Sequence, residues 1–314
     1  MSYNVENLFD TKDDSLYNDR EYLFGGLRGW TYDRYKQKLS NIAKVIVAVG
    51  QWTPPAIVGL CEIENKNVLY DLTQRTGLQQ LNYKFIHYES PDARGVDVAM
   101  LYLPEFFTPI SSRAINVKFP NSASTTRDIL YACGTAPSED TLHIFVNHFP
   151  SRLGGELESE ERRKTVAQIL RKNVDSVFLI NKNAAVVIMG DFNDYPDNNS
   201  IVKILKANPL PENLSEISPQ NLYNLAYKIH VEGKIGTYCH QREWGMLDQI
   251  IVSGNLLDNS LNINILPQTT EVFAPEWLLE NDKMLGSHPF RTYIGMKYNG
   301  GFSDHLPIFV RGKY

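Results

Sequence analysis

No apolar run in this chain is long enough to span a bilayer, and a mean hydropathy of −0.30 is too polar for a membrane protein. Cysteine is scarce. Cys61, Cys133 and Cys239 cannot all pair with one another, and none stands in a C-x-x-C spacing, which excludes a disulfide scaffold, a zinc ribbon and dithiol redox chemistry. Cys61 follows Ile57-Val58-Gly59-Leu60 and reads as a buried, inert thiol. An excess of positive charge is also missing. With 31 Lys and Arg against 36 Asp and Glu, the net charge of −5 argues against a broadly basic surface that grips duplex nucleic acid through many phosphates, though it leaves room for local basic clusters. Repeats, low-complexity runs and linkers are absent, so residues 1–314 are expected to form a single domain, which a two-sheet or α/β architecture can hold. No targeting segment is present. Because Met1-Ser2-Tyr3-Asn4-Val5 already alternates like a strand in progress, the protein is expected to be soluble, and extracytoplasmic if an export signal preceded residue 1. A monomer is expected.

What the chain does contain centres on Ala185-Val186-Val187-Ile188-Met189-Gly190-Asp191-Phe192-Asn193-Asp194. Five apolar residues, three of them β-branched, predict a buried strand that closes on Gly190, where a side chain would obstruct close backbone approach. Asp191, Asn193 and Asp194 then crowd the strand's C-terminal end, the usual place for chemistry in α/β sheets. An Asx-rich turn would produce the same local pattern.

The same arrangement recurs along the chain. A long polar loop runs to about Gly29, and from Thr31, a candidate N-cap, Tyr35, Leu39, Ile42, Val45, Ile46 and Val49 recur at helical spacing. Ala56 to Cys61 is a second apolar strand ending on acid, at Glu62-Ile63-Glu64-Asn65, before a helix through Val68, Leu69 and Leu72. Tyr83–Tyr88 and Asp97–Leu103 read as paired strands across the turn-rich 90–95. Asp128–Cys133, entered through Thr126-Arg127, is another strand. Leu142–Val146 delivers Asn147, His148 and Arg152. Glu156–Asn181 predicts a long helix with acidic first turns. A short helix is expected around Ile201–Leu205, a strand over Trp244–Ser253, a long ordered aromatic loop over 271–302, and a last strand at Ile308–Arg311.

Hydrolysis of a phosphate ester needs a hard cation on oxygen ligands, an oriented water, and donors where charge builds on phosphate. Carboxylates and amides at strand ends meet the first need. Glu6 lies two residues from Asn4, and in a regular strand that spacing puts both on one face. His87, His143, His230 and His240 read as structural histidines.

Tyr3-Asn4-Val5-Glu6-Asn7-Leu8, Glu62 after an apolar strand, Asn147-His148, Gly190-Asp191-Phe192-Asn193, Leu247-Asp248 and Ser303-Asp304-His305 stand in the order found in the endonuclease/exonuclease/phosphatase superfamily, which the whole chain resembles. The resemblance implies a deoxyribonuclease-like, α/β or α+β four-layer sandwich: two packed mixed β-sheets flanked by helices. It implies that Glu62, with Asn4, Glu6 and Asp304, holds Mg²⁺, with Mn²⁺ or Ca²⁺ as alternatives. It further implies that Asp191 orients or deprotonates water beside Asn193, that His305, oriented by Asp248, and His148 face the phosphate, and that Arg127, Asn147 and Arg152 help to bind substrate.

Tyr3 stands where many members carry tryptophan, a packing change; His148 replaces the tyrosine of abasic-site endonucleases, which favours the deoxyribonuclease-like or phosphatase-like branches, and Asn4-Val5-Glu6-Asn7-Leu8-Phe9-Asp10 with Asn147-His148-Phe149 most resembles bacterial secreted-type nucleases. The activity implied is a Mg²⁺-dependent phosphodiester hydrolase, an endonuclease with nucleic acid as substrate. The alternative on the same core is an inositol-phosphate phosphatase or a sphingomyelinase-type phospholipase C. Phe273, Trp277, Leu278, Leu279 and Phe290 beside Arg291 would suit either alternative, and a catalytically dead binding module is the reading from another class.

Overall fold

Apolar runs rich in β-branched residues set the two sheets, and capped amphipathic segments set the helices that cover them. The computed structural model describes residues 1–14, 17–120, 124–152, 154–282 and 286–314. Strand β1 (Ser2–Leu8) leads through a polar stretch to helix α1 (Tyr32–Gly50), where the Thr31 hydroxyl accepts from the Arg34 amide at 3.3 Å. β2 (Ile57–Ile63) precedes α2 (Lys66–Gln74), capped by the Asn65 side chain on the amides of Asn67 and Val68. β3 (Lys84–His87), β4 (Asp97–Tyr102), β5 (Thr108–Ile115), β6 (Ile129–Thr135) and β7 (Thr141–His148) follow. Then come α3 (Glu156–Ile180), β8 (Ala185–Asp191), β9 (Ala207–Asn208), β10 (Leu222–Asn224) and α4 (Tyr227–Glu232). A hairpin of β11 (Tyr238–His240) and β12 (Glu243–Gly245) precedes β13 (Asp248–Ser253) and β14 (Asn264–Val272). Two more hairpins, β15 (Leu279–Asp282) with β16 (Gly286–Pro289) and β17 (Tyr293–Ile294) with β18 (Lys297–Tyr298), lead to β19 (Ile308–Lys313).

One sheet runs β14-β19-β1-β2-β4-β3 and the other β5-β6-β7-β8-β13-β10-β9. Both are mixed: β1/β2 and β7/β8 are parallel neighbours at the middle of their sheets, bordered by antiparallel pairs. Side chains on β8 alternate between two cores. Ala185, Val187 and Met189 meet the core between the sheets, whereas Val186 and Ile188 meet Val166, Leu170, Val174 and Phe178 of α3. Tyr35, Leu39, Ile42 and Ile46 of α1 pack on the far side of the first sheet, so helix, sheet, sheet and helix stack as four layers. Among the described residues, no helix is long and apolar enough to cross a membrane.

The segment 271–302, expected as a loop, instead finishes β14 and forms two hairpins; 283–285 lie outside the described residues. Its aromatic residues turn inward, with Trp277 and Phe302 rings 5.1 Å apart and the Lys44 ammonium 4.2 Å from the Trp277 ring centroid. The strand expected over 244–253 is split, because the chain leaves the β11/β12 hairpin at Gly245 and enters the second sheet only at Asp248.

Candidate active site

The carboxyl ends of the parallel pairs β1/β2 and β7/β8 meet at one end of the sandwich, joined by the start of β13 and the turn before β19. Close approach there is built into the sequence. Gly190, at φ 138°, lies opposite Asn147 of β7, and a Cβ on it would stand 1.9 Å from the Asn147 carbonyl oxygen. The adjoining sheet is bulged at the same level, where Glu6, Asn7 and Glu62 all have positive φ. Each such conformation costs roughly 1 kcal/mol or more, and the strain is offset by contacts it creates: the Asn7 amide donates to Glu62 Oε2 at 2.9 Å.

Asp191 is at the centre. Its Oδ1 accepts the Asn193 amide at 2.8 Å and its Oδ2 accepts Asn4 Nδ2 at 3.0 Å. Two imidazoles point at the same Oδ2, His148 Nε2 at 3.7 Å and His305 Nε2 at 3.8 Å. Those distances exceed a direct hydrogen bond and leave room for a reacting oxygen among the three groups. His148 Nε2 also lies 4.0 Å from Glu62 Oε1. On its other side, His305 Nδ1 sits 2.6 Å from Asp248 Oδ2. The His305 amide donates to Ser303 Oγ, and that hydroxyl donates to the Asn4 carbonyl at 2.7 Å. Thr237 Oγ1 accepts the amides of Leu247 and Asp248, fixing the start of β13.

The two imidazoles are tuned in opposite directions. Burial, then the guanidiniums of Arg127 and Arg94, hold His148 well below the ordinary histidine range, so it is neutral at pH 7. Burial also opposes charge on His305, but Asp248 and Asp191 overcome it and hold its pKa well above the ordinary value. Burial pushes Asp191 up to about 6, against the pull of His305 and with the push of Asp248. A neutral imidazole, a cationic imidazole and a poised carboxylate therefore share one pocket.

The donor set suits a hard cation. Among the described residues, Glu62 Oε1 is met by Arg94 at 3.5 Å and by His148 at 4.0 Å, charge contacts that a cation on that oxygen would have to displace or share. Asp304 is partly exposed, and Glu6, Asp304 and Glu62 all act on the buried Lys38 ammonium. Thiolates take no part.

The endonuclease/exonuclease/phosphatase family pattern matches residues 1–313. The chain belongs to this family. As a family member it is a metal-dependent phosphoric ester hydrolase, with the two mixed sheets and flanking helices of that fold. No curated protein sequence matches it closely enough to count as a relative. Among solved structures, the human Nocturnin catalytic domain with bound sulfate is 18% identical at a TM-score of 0.55, over 89% of this chain and 87% of that one. A Bacteroides thetaiotaomicron mannosyl-6-phosphatase is 16% identical at 0.57, over 100% and 98%. D. rerio TDP2 with a single-strand DNA product is 14% identical at 0.55, over 88% and 93%. At such identities these likenesses speak for the fold alone.

Asn4, Glu62, His148, Asp191, Asn193, Asp248, Asp304 and His305 are thus gathered at one end of the family fold, whereas four residues expected beside them have other places. Glu6, where positive φ at Glu6 and Asn7 interrupts the strand, turns its two oxygens to the amides of Thr292 at 2.7 Å and Tyr293 at 3.1 Å. Arg127 is buried, paired with Asp92 at 3.0 Å and donating to the Phe149 carbonyl at 2.5 Å, so it stands behind His148 rather than reaching into solvent. Arg152 donates to the Asn193 carbonyl at 2.9 Å and stacks over Tyr195, bracing the Asn193 turn. Asn147 is wholly enclosed beneath Gly190.

Asp92, Arg94 and Thr237 went unnoticed in the sequence; the charged pair Asp92 and Arg94 inside a turn before an apolar strand was the available signal. Of the histidines read as structural, His143 meets the Tyr131 hydroxyl at 2.8 Å and His230 meets Asp197 at 3.3 Å, whereas His240 is exposed. His87, Glu89 and Asp97 bring possible ligand atoms within 4.8 Å of one another. Asp97, however, spends Oδ2 on His87 Nε2 at 3.0 Å and Oδ1 on the Ser90 amide and hydroxyl, so the group serves as a clasp for the 88–96 loop.

Proposed function

We propose that this protein is a Mg²⁺-dependent phosphodiester hydrolase, acting as an endonuclease on nucleic acid, and that residues 1–314 form one catalytic domain. The observation that carries the reading is Asp191 Oδ2, held by Asn4 and faced at 3.7 and 3.8 Å by two imidazoles of opposite charge preference. In this reading Glu62 and Asp304 hold the cation, with Asn4 near them. A cation bound there supplies Lewis-acid stabilisation of charge on the phosphate and lowers the pKa of nearby water.

The chain's own groups do the rest. Asp191 accepts a proton from the attacking water, which Asn4 and the Asn193 amide help it to orient. His305 donates from Nε2 to a non-bridging phosphate oxygen, held charged by Asp248 at Nδ1. His148 donates as a neutral imidazole on the opposite side.

A second reading, a phosphatase for a small phosphorylated molecule, is favoured by the net charge of −5, which does not suit a long polyanion. A lipid phosphodiester is less well supported, since Phe273, Trp277, Leu278, Leu279 and Phe290 pack against the core instead of forming an exposed apolar loop.

The test is a substrate panel in Mg²⁺: plasmid DNA, RNA, inositol phosphates, a sugar phosphate and sphingomyelin, with Asp191→Asn as the control. Cleavage of nucleic acid that Asp191→Asn abolishes supports the leading reading. Phosphate release from the monoesters alone would replace it with the second.

A further inference from the structure

We propose that Arg94 is a phosphate-binding guanidinium that rests on Glu62 and is released to the substrate when a divalent cation takes its place. The inference builds on the cation-site reading above and adds a substrate-binding residue to it. Arg94 Nη1 lies 3.5 Å from Glu62 Oε1, the oxygen that the cation site needs. A divalent ion on that oxygen competes with a guanidinium 3.5 Å away, because the two positive charges repel each other in a partly desolvated pocket. The side chain is 49% exposed and has room to move.

Where it can go is restricted. Among the described residues, the other carboxylate paired with it is Asp92, at 3.6 Å, and that group is already engaged: Oδ2 pairs with buried Arg127 and Oδ1 accepts the Arg94 amide at 3.0 Å. The same Glu62 Oε1 is also 4.0 Å from His148 Nε2. Arg94 and His148 are therefore no further apart than those two contacts laid end to end, the span that a phosphate bridging two donors needs. A phosphate group seated against the imidazoles is thus the nearest acceptor for the displaced fork.

The backbone that carries Arg94 does not drift. His87, Asp97 and Ser90 clasp one side of the loop, and the Tyr17 hydroxyl donates to the Ser90 carbonyl at 3.3 Å. Gly95, at φ 68°, turns so tightly against Tyr17 that a Cβ would come within 2.8 Å of it. A held backbone carrying a half-exposed guanidinium is the arrangement of a short-range clamp.

The experiment compares wild type, Arg94→Gln, Arg94→Lys and Glu62→Gln, with melting temperature as the fold control. Calorimetry with Mg²⁺ alone reads the cation site. Steady-state kinetics use a diester, bis(p-nitrophenyl) phosphate, and a monoester, p-nitrophenyl phosphate. Removing the resting cation should tighten Mg²⁺ binding by about threefold to tenfold in Arg94→Gln, while loss of a charged donor raises KM about tenfold or more with a smaller change in kcat. Arg94→Lys should recover part of the KM. A merely structural arginine would weaken both properties together. If Glu62→Gln weakens Mg²⁺ binding but Arg94→Gln changes neither Mg²⁺ affinity nor KM, the Arg94 proposal is wrong and the cation site stands. Unaltered Mg²⁺ affinity in Glu62→Gln overturns the cation site and, with it, this proposal. Comparing the diester with the monoester reports the substrate class separately.

Discussion

Asp191 and Asp248 lie directly opposite one another on neighbouring antiparallel strands, and a single imidazole, His305, stands between their carboxylates, 2.6 Å from one and 3.8 Å from the other. Like charges at a cross-strand pair destabilise a sheet, so this register is tolerable only with a cation inserted. His305 is that cation. The arrangement couples the charge state of the phosphate-facing imidazole to the carboxylate that handles water.

Asp248→Asn tests the coupling. The amide keeps the shape and a hydrogen bond to Nδ1 but withdraws the charge that sustains the imidazolium, so the His305 pKa should fall and kcat should drop by roughly a hundredfold or more. Imidazole titration followed by NMR, beside single-turnover rates, checks both parts. A His305 that still titrates at the wild-type pH would show that Asp248 is not its main partner.

The pH dependence carries a sign of its own. With its pKa pushed up to about 6, Asp191 is a working base above that pH, so kcat/KM at low Mg²⁺ should fall about tenfold per pH unit below 6, and saturating cation should move this limb to lower pH. Stability runs the other way. A carboxyl whose folded pKa exceeds its unfolded value contributes stability that is present below the unfolded value and is lost as pH rises through 6. Asp191→Asn should therefore be more stable than wild type at pH 8, by on the order of 3 kcal/mol, and equal to it near pH 3. Denaturant melts at the two pH values decide the matter.

How much of this was legible in the sequence follows from which side chains are buried. β8, α1 and α3 declare themselves because their apolar periodicity faces a core. β5 does not, since Thr108–Ile115 is an edge strand with almost every side chain at the surface, and β14 is half-exposed and contains Pro267. Glu62, His148 and Asp191 stand at or near the ends of buried strands, which the same periodicity located. Glu6 was misread because strand alternation was extended through a bulge that no pattern marks. Arg127 and Arg152 were misread because sequence does not say which arginines find a carboxylate or a carbonyl inside the fold.

Arg163 is a buried pair member hidden in the polar face of α3. It is fully buried, with Nε 2.6 Å from Asp194 Oδ1 and Nη1 2.6 Å from Ser159 Oγ, and it ties the helix to the turn after Asp191. Removing Arg163 leaves the buried Asp194 carboxylate with the more distant Arg152 at 3.5 Å, so Arg163→Met alone should cost on the order of 3 kcal/mol, whereas Arg163→Met with Asp194→Asn should recover much of it. A double-mutant cycle by urea melts measures the coupling. Equal losses in the single and double variants would show that packing, not charge, matters at this position.

The last expectation separates loss of the cation from loss of the water-orienting group. Glu62→Gln keeps size and the hydrogen bond from the Asn7 amide but removes the charge that would hold a hard cation. It should weaken Mg²⁺ binding and be partly rescued by excess Mg²⁺. Asp191→Asn leaves Glu62 and Asp304 in place, so Mg²⁺ should still bind while the chemical step falls by roughly a hundredfold or more, without rescue. Neither change should unfold the protein, because Glu62 and Asp191 line the same cleft and their ionised forms already repel. Activity across a Mg²⁺ titration, calorimetry for affinity and melting temperature as the fold control give three separate readings. Rescue of Asp191→Asn by Mg²⁺, with Glu62→Gln beyond rescue, would exchange the two roles; full activity in both variants would place the chemistry elsewhere in the molecule.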